Sequence, residues 1–266
     1  MPKTILITGS TDGLGLETAK ALVKAGHRVV VHGRSQEKID RALAALAPSA
    51  SQEMRGVRAD LSSLEAIPAF VTKLRAVAPV LDVVINNAGV YKVAEPILPS
   101  GLDARFVVNT IAPYALVKQL TSLFAPGARV VNLSSAAQAP LDMEALRGRR
   151  HLDDGTAYAQ SKLALTSWTY ALHKTLAGAG PVLIAVNPGS FLATKMVREA
   201  YGSSGRDISQ GVDILLRAAL SEEFASAGGR YFDNDSGRFA DPHPEALDIE
   251  KGQALLDVMD GMLARD

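Results

Sequence analysis

Two rhythms of apolar residues alternate along the chain. Short strand-like runs occur at Ile5–Ile7, His27–His32, Met54–Ala59, Val80–Ile85, Arg129–Leu133 and Val182–Val186. Several of these are continuous and β-branched, as expected for strands buried on both faces. Longer stretches at helical spacing separate them. In Leu14–Ala25 the inward positions are Leu14, Thr18, Ala21, Leu22 and Ala25. Gln36–Ala47 is opened by Ser35 as a cap and stops before Pro48. Leu64–Val77 has Ser62 and Glu65 spaced as a capping box, and long helices are expected over Phe106–Leu123 and Thr156–Ala177. Beyond Asn187-Pro188-Gly189 the pattern weakens to helical pieces in Phe191–Tyr201 and Ile208–Leu220, a strand near Gly229–Phe232 and a helix in Glu245–Leu263. Alternating strands and helices without a repeat or linker predict an α/β chain: a single-domain doubly wound parallel sheet (Rossmann-like) spanning residues 1–266.

Composition narrows the partners. Lysine plus arginine (28) equals aspartate plus glutamate (28), so no basic excess points to nucleic acid or an anionic membrane. The local run Arg147, Arg149 and Arg150 reads as a solvated loop. Cysteine is absent, which excludes disulfides and thiolate metal sites, and the five histidines show no paired ligand spacing, so no metal is expected. No apolar run approaches the roughly 18 residues of a membrane span, and no charged-then-apolar leader precedes the first strand. A soluble, cytoplasmic protein acting on a small molecule is the resulting expectation.

The first strand leads through Thr8-Gly9-Ser10-Thr11-Asp12-Gly13-Leu14-Gly15 into the first helix. Strand, glycine turn and helix point to a nucleotide-binding unit, although a glycine-rich turn by itself is also an ordinary βα loop. Gly9 permits the tight turn, Gly13 lets backbone approach a pyrophosphate, and Gly15 lets the helix lie close to the strand. Tyr158 and Lys162 carry a second signal, because four residues on a helix put both side chains on one face. A phenol is a poor base near neutrality, its ordinary pKa being about 10. An ammonium about 4 Å from its oxygen contributes roughly 4 kcal/mol at an effective dielectric near 20, or about three pKa units. Such a pair can exchange a proton with a carbonyl or alcohol oxygen. In isolation it is also an ordinary pair on a solvated helix.

The motifs together resemble the short-chain dehydrogenase/reductase family over nearly the whole chain. The glycine turn matches the family's Thr-Gly-x-x-x-Gly-x-Gly, Asn86-Asn87-Ala88-Gly89 is its Asn-Asn-Ala-Gly, and Asn109, Ser135, Tyr158 and Lys162 fall at its catalytic positions. Val131-Asn132-Leu133-Ser134-Ser135, a lengthened segment before Tyr158 and Gly229-Arg230-Tyr231-Phe232 are similar to its retinol-dehydrogenase-like branch. The resemblance implies a nicotinamide coenzyme held by Gly9, Ser10, Thr11, Asp12, Gly13, Leu14 and Gly15, by Asp60 and Leu61 at the adenine, and by Asn87, Ala88, Gly89, Pro188 and Gly189. It implies that Ser135, rather than Ser134, holds the substrate oxygen, that Lys162 also contacts the ribose, and that Asn109 positions a water joining Lys162 to solvent. Two departures stand out. The family's threonine four residues after the Pro-Gly glycine is replaced here by Ala193, with Thr194 next, and the interval between Ser135 and Tyr158 is longer than in the shorter members. That insertion lies beside the site mouth, where it would shape the pocket or obstruct the pairing by which relatives associate; homo-oligomer formation therefore stays open.

Coenzyme choice is read at Val29-Val30-Val31-His32-Gly33-Arg34-Ser35. An NAD site usually carries a carboxylate here for the ribose hydroxyls, yet no acid occurs before Glu37. Arg34 offers a planar fork suited to a 2′-phosphate and Ser35 a further hydroxyl, which favours NADP over NAD. Against this, Arg34 at a strand end also serves as a simple solvent cap, and Asp12 adds an opposing charge. Val90, Tyr91, Ala137, Phe191, Leu192 and Met196 offer a mostly apolar pocket, so the expected substrate is a small hydrophobic ketone, aldehyde or alcohol. The alternatives are a polyol or sugar dehydrogenase and a non-catalytic NADP-binding regulator.

Overall fold

The apolar runs become strands of one sheet in a computed structural model that describes residues 1–193, 202 and 205–264. In chain order the strands are β1 (Thr4–Ile7), β2 (Arg28–Gly33), β3 (Arg55–Arg58), β4 (Leu81–Asn86), β5 (Phe124–Leu133), β6 (Val182–Asn187), β7 (Tyr231–Asp233) and β8 (Arg238–Ala240). Among the described residues their spatial order is β3-β2-β1-β4-β5-β6-β7-β8. Every pairing from β3 to β7 is parallel, and β8 returns antiparallel to β7. The helices are α1 (Gly13–Lys24), α2 (Gln36–Leu46), α3 (Ile67–Val77), α4 (Ala104–Phe106), α5 (Ala112–Gln119), α6 (Met143–Leu146), α7 (Asp154–Leu176), α8 (Ser209–Leu220) and α9 (Ile249–Leu263).

Period-two alternation divides the strand side chains between two cores. Leu6, Val30, Val84, Val130 and Leu183 pack with Phe70, Tyr114, Trp168 and Met259 from α3, α5, α7 and α9. Ile5, Ile7, Val31, Ile85, Val131 and Ile184 pack on the other side with Leu22, Ile39 and Ile214 from α1, α2 and α8. The chain moves outward from β1 through β2 to β3, then crosses back to β4. Beyond the carboxyl ends of β1 and β4, their outgoing loops diverge and leave a crevice.

Several local expectations change. Ser62 and Glu65 form no capping box: the Ser62 amide and hydroxyl donate to Asp60 at 3.0 and 2.7 Å, and Ser63 is the cap of a 3₁₀ turn, Leu64–Ala66. A carboxylate two residues back is the stronger acceptor, so Ser62 turns away from the helix. The long helix over Phe106–Leu123 is broken into α4, a π turn at Val107–Ile111, α5 and a 3₁₀ turn at Thr121–Leu123. Pro113 has no N–H for the Asn109 carbonyl four residues back, which explains the widened turn. Val80 lies outside β4 and is exposed. The helical piece in Phe191–Tyr201 is not present at its start, where residues 190–191 form a turn and Leu192 bridges to Arg206; residues 194–201 lie outside the described residues. Two short elements, α6 and β8, have no counterpart in the sequence reading, although Asp233-Asn234-Asp235-Ser236-Gly237 between aromatic residues is a hairpin signal.

The C-terminal helix α9 lies across α7 through a glycine. Gly252 is buried, and a Cβ there would stand 2.8 Å from the Ala171 Cβ, a short side chain with nowhere to retreat. Tyr114 and Lys118 from α5 bond Asp260 at 2.7 and 3.2 Å on the same helix. Gly252→Val should therefore lower stability by about 1–3 kcal/mol through overpacking, despite valine's better helix propensity. Urea unfolding of parent and variant checks this, and an unchanged midpoint would show that α9 can shift without cost.

Candidate active site

The crevice is a cavity of about 740 Å³. Its walls come from the carboxyl ends of β1, β2, β4, β5 and β6, together with α7. Most residues singled out from the sequence meet here: Gly9, Thr11, Asp12, Gly13, Leu14, Gly15, Arg34, Ser35, Asp60, Leu61, Asn87, Ala88, Gly89, Ser135, Tyr158, Lys162, Pro188 and Gly189. Val90, Tyr91, Ala137, Phe191 and Leu192 also face it, whereas Met196 and Thr194 lie outside the described residues. Ser10 is a correction. Fully buried and absent from the lining, it donates to the Ile7 carbonyl at 2.8 Å and accepts from the His32 amide at 3.0 Å, so its hydroxyl is a strand tie.

The glycine turn is held by close backbone approach. Gly9 sits at φ +64° and Gly13 at φ +53°, where a side chain is strained. A Cβ on Gly9 would stand 2.9 Å from the Ala88 Cα, and one on Gly15 would stand 2.5 Å from the Gly9 carbonyl. The Asn87 side-chain Nδ2 donates to the Thr8 and Gly9 carbonyls at 2.9 and 3.0 Å, while the Ala88 backbone amide donates to the Thr8 hydroxyl at 3.0 Å. His32, which the sequence reading passed over, accepts the Gly9 amide at 3.0 Å. Burial lowers its pKa to about 4, so the ring is neutral and can accept near neutral pH. Asp12 caps α1 by accepting the Gly13 amide at 2.7 Å, so this amide of the helix start is already taken by a carboxylate.

At one end of the cavity Arg34 is exposed and Ser35 caps α2, accepting the Lys38 amide at 3.4 Å. Lys38 also lines this end and is a second cation that sequence reasoning missed; it stands four residues after Arg34 at the start of α2. A cradle that a Cβ would fill, with two cations and no carboxylate at the end of β2, fits a dinucleotide.

The other end is built on α7. Lys162 is buried, its Nζ 5.6 Å from the centre of the Tyr158 ring and donating to the Leu133 carbonyl at 2.7 Å. Tyr91 meets Tyr158 edge to face with ring centres 4.8 Å apart. The neighbouring serines divide: Ser134 is buried with its hydroxyl 2.6 Å from that of Thr166, whereas Ser135 is half-buried and accepts the Ala137 amide at 3.1 Å, keeping its own proton to donate. Asn109 stands behind the lining. Its Oδ1 accepts the Val90 amide at 2.8 Å, and its Nδ2 donates to the Val90 carbonyl and the Ser161 hydroxyl, each at 3.0 Å. Ser161 in turn donates to the Tyr158 carbonyl at 2.7 Å, so Asn109 ties the segment after β4 to the tyrosine's own turn. At the start of α7, buried Arg105 joins Asp103 to Asp154. The insertion carries α6, where Arg147 and Arg149 pair with Glu144 and Arg150 with Asp142. Among the described residues no His, Asp and Glu side chains gather as a metal site, and no helix is long and apolar enough to cross a membrane.

Comparison with known proteins agrees with this geometry. Residues 3–203 match the model of the short chain dehydrogenase family. The chain is 31% identical to human polyprenol dehydrogenase over 88% of its length and 77% of that protein. It is 32% identical to mouse retinol dehydrogenase 12 over 86% of its length and 77% of that protein. Among solved structures it superposes on an uncharacterized protein from Mycobacterium paratuberculosis with a TM-score of 0.80 at 26% identity, covering 99% of this chain and 93% of that one. It also superposes on the promiscuous reductase LugOII, which catalyses keto-reduction at C1 during lugdunomycin biosynthesis, with a TM-score of 0.68 at 25% identity, covering 87% and 96%.

Burial lowers the Lys162 ammonium from 10.5 to about 8. From there up to the ordinary value the unfolded chain binds the extra proton, so this residue makes stability rise with pH; below that window the buried charge is a net cost. Lys162→Met should therefore stabilise the ligand-free protein near neutral pH by on the order of 2 kcal/mol, after the lost bond to the Leu133 carbonyl. It should also flatten the rise in alkaline solution. Urea unfolding as a function of pH checks both, and a destabilised variant would show that Lys162 is chiefly a tie between α7 and β5.

Proposed function

The chain belongs to the short-chain dehydrogenase/reductase family and is an oxidoreductase acting on CH–OH groups; from that premise we propose that it transfers a hydride between NADP and a small hydrophobic ketone, aldehyde or alcohol. The observation that carries the reading is the single cavity that Tyr158, Lys162 and Ser135 share with Arg34 and Lys38. The retinol and polyprenol dehydrogenases among its relatives support a hydrophobic alcohol, and LugOII supports a ketone. Val90, Val108, Ala137 and Leu192 favour such substrates over a polyol, whose hydroxyls would meet few partners on that wall.

Bound NADP supplies the hydride in reduction and accepts it in oxidation. Arg34, Lys38 and Ser35 would hold the adenosine phosphate, Asp60 and Leu61 the adenine, and the glycine turn with Asn87–Gly89 the pyrophosphate and ribose. Tyr158 gives its phenolic proton to the carbonyl oxygen as the carbon is reduced, leaving an alcohol and a phenolate; oxidation reverses both transfers. Lys162, charged below about pH 8, stabilises that phenolate and would contact the coenzyme's ribose. Ser135 donates to the same oxygen while Ser134 remains tied to Thr166. Asn109 holds the Val90 segment against α7.

The catalytic assignment predicts that Tyr158→Phe keeps NADPH affinity and loses turnover by about a hundredfold or more. Ser135→Ala should lose roughly a hundredfold in the chemical step, with Ser134→Ala affecting stability instead. Steady-state kinetics on a carbonyl panel, beside fluorescence titration of NADPH, decide this; a damaging Ser134→Ala with a silent Ser135→Ala would exchange the two serines.

Coenzyme choice gives a separate expectation. Losing the Arg34 guanidinium should weaken NADPH by about tenfold to a hundredfold, the worth of one charge-assisted bond. NADH binding should be unaffected in Arg34→Ala. Dissociation constants for both coenzymes in parent and variant test it, and equal weakening, or a parent that prefers NADH, defeats the reading.

A further inference from the structure

The segment after β6 is gripped from the far edge of the sheet. In the β7–β8 turn, Asp235 accepts the Ser190 amide at 2.9 Å through Oδ1 and the Ser190 hydroxyl at 2.5 Å through Oδ2. Oδ2 also accepts the Asn187 side-chain amide at 2.9 Å, and the Arg206 guanidinium approaches Oδ1 at 3.4 Å. Beside it Asn234 donates to the Pro188 carbonyl at 2.9 Å. One carboxylate thus meets the chain both where it leaves β6 and where it returns toward α8. Burial acts to raise the Asp235 pKa, but the bonds from Ser190 and Asn187 and the Arg206 charge outweigh it, so the group is held below its ordinary value as an acceptor.

What lies between these contacts gives the grip its meaning. Phe191, directly after Ser190, sits at φ +55°, a left-handed conformation disfavoured for an aromatic residue. Such a conformation persists only where its surroundings over-determine it. Here the Arg206 amide donates to the Phe191 carbonyl at 2.6 Å and the Ala193 amide donates to the Arg206 carbonyl at 2.8 Å. The held conformation places Phe191, half exposed, and Leu192, buried, on the substrate side of the cavity. Asn234 holds the Pro188 end of this segment, whereas Asp235 is committed to Ser190, on the side that leads into Phe191 and Leu192.

We propose that Asp235 is a positioning residue that fixes the Ser190–Leu192 turn, through Ser190 and Arg206, and thereby sets the substrate wall of the cavity. It touches neither coenzyme nor reacting atoms; its effect passes through Phe191 and Leu192. The kinetic consequence rests on the cavity being a carbonyl or alcohol site, whereas the structural consequence does not.

The test compares Asp235→Asn with Asp233→Asn in the full chain. Asp233 accepts the same Asn187 amide, at 2.8 Å, and pairs with β6 through the hairpin, so it serves as the control for general loosening of this edge. In Asp235→Asn, kcat/KM for a carbonyl should fall by about tenfold to a hundredfold, carried by KM more than by kcat, because a displaced wall misplaces the substrate. The dissociation constant of adenosine 2′,5′-bisphosphate, read at the Arg34 end, should not move. Independently of turnover, amide hydrogen exchange at Ser190, Ala193 and Arg206 should speed up in Asp235→Asn with Gly9–Gly15 unaffected. Equal effects in Asp233→Asn, or unchanged exchange at Ser190 and Ala193 in Asp235→Asn, would overturn the proposal. A parent with no turnover on any carbonyl would defeat the catalytic reading alone, because the exchange measurement still decides the clamp.

Discussion

The contact on which the site depends is backbone against backbone, where the turn after β1 lies on the segment after β4. Gly9 approaches Ala88 so closely that a single methyl group would not fit. The Asn87 side chain donates to the Thr8 carbonyl, and the Ala88 amide to the Thr8 hydroxyl, across the same gap. This is possible because β1 and β4 are adjacent parallel strands whose outgoing loops turn to opposite faces of the sheet. The coenzyme end and the catalytic end consequently share one floor. His32 braces it from β2, and Asn109 braces it from the helix side through Val90. Displacing the Gly9–Ala88 contact would separate the two halves of the reaction site while leaving each half's own strands intact.

The catalytic end sets stability against chemistry. A lysine in the interior is held by one carbonyl, and burial opposes its charge enough to lower its pKa to about 8. Among the described residues no carboxylate pairs with it, and it faces the Tyr158 ring. A core selected for stability alone would carry an apolar residue there. The charge is useful only if something beside it becomes negative, and a tyrosine that gives up its proton does so. The low value also leaves the lysine charged at neutral pH while keeping its proton within reach of exchange.

Much of this was legible in the chain because its signals are local. Continuous β-branched runs, Ser35 before α2 and the glycine turn each act within a few residues, and each fell close to its expected place, Val80 at the edge of β4 aside. The spacing of Tyr158 and Lys162 is likewise a property of one helix. The features that escaped depend on partners far away in sequence. Ser10 looked like part of a phosphate-binding turn, but its hydroxyl is claimed by His32, twenty-two residues on. Ser62 and Glu65 had capping-box spacing, but Asp60 was the better acceptor. The π turn at Asn109 combines a local cause, Pro113, with a distant one, the Val90 backbone. Lys38 was hidden for a simpler reason: an exposed lysine in the first turn of a helix looks the same whether it faces solvent or a phosphate.

The same distinction explains the far edge of the sheet. Asp233, Asn234 and Asp235 read as turn-forming residues, and the hairpin between β7 and β8 does use them that way. A turn of this kind asks only for short polar side chains that bond their own backbone. It does not require Asp235 to accept an amide and a hydroxyl from Ser190, or Asn234 to reach Pro188. Those bonds spend the hairpin's polar groups on a neighbouring loop, next to a residue in a strained conformation. Strain and committed polar groups together mark a place where the fold has been arranged for geometry beyond its own stability. The cavity therefore has two kinds of wall: a coenzyme side whose shape is written in local glycines and caps, and a substrate side whose shape is imposed from outside by residues that never line it.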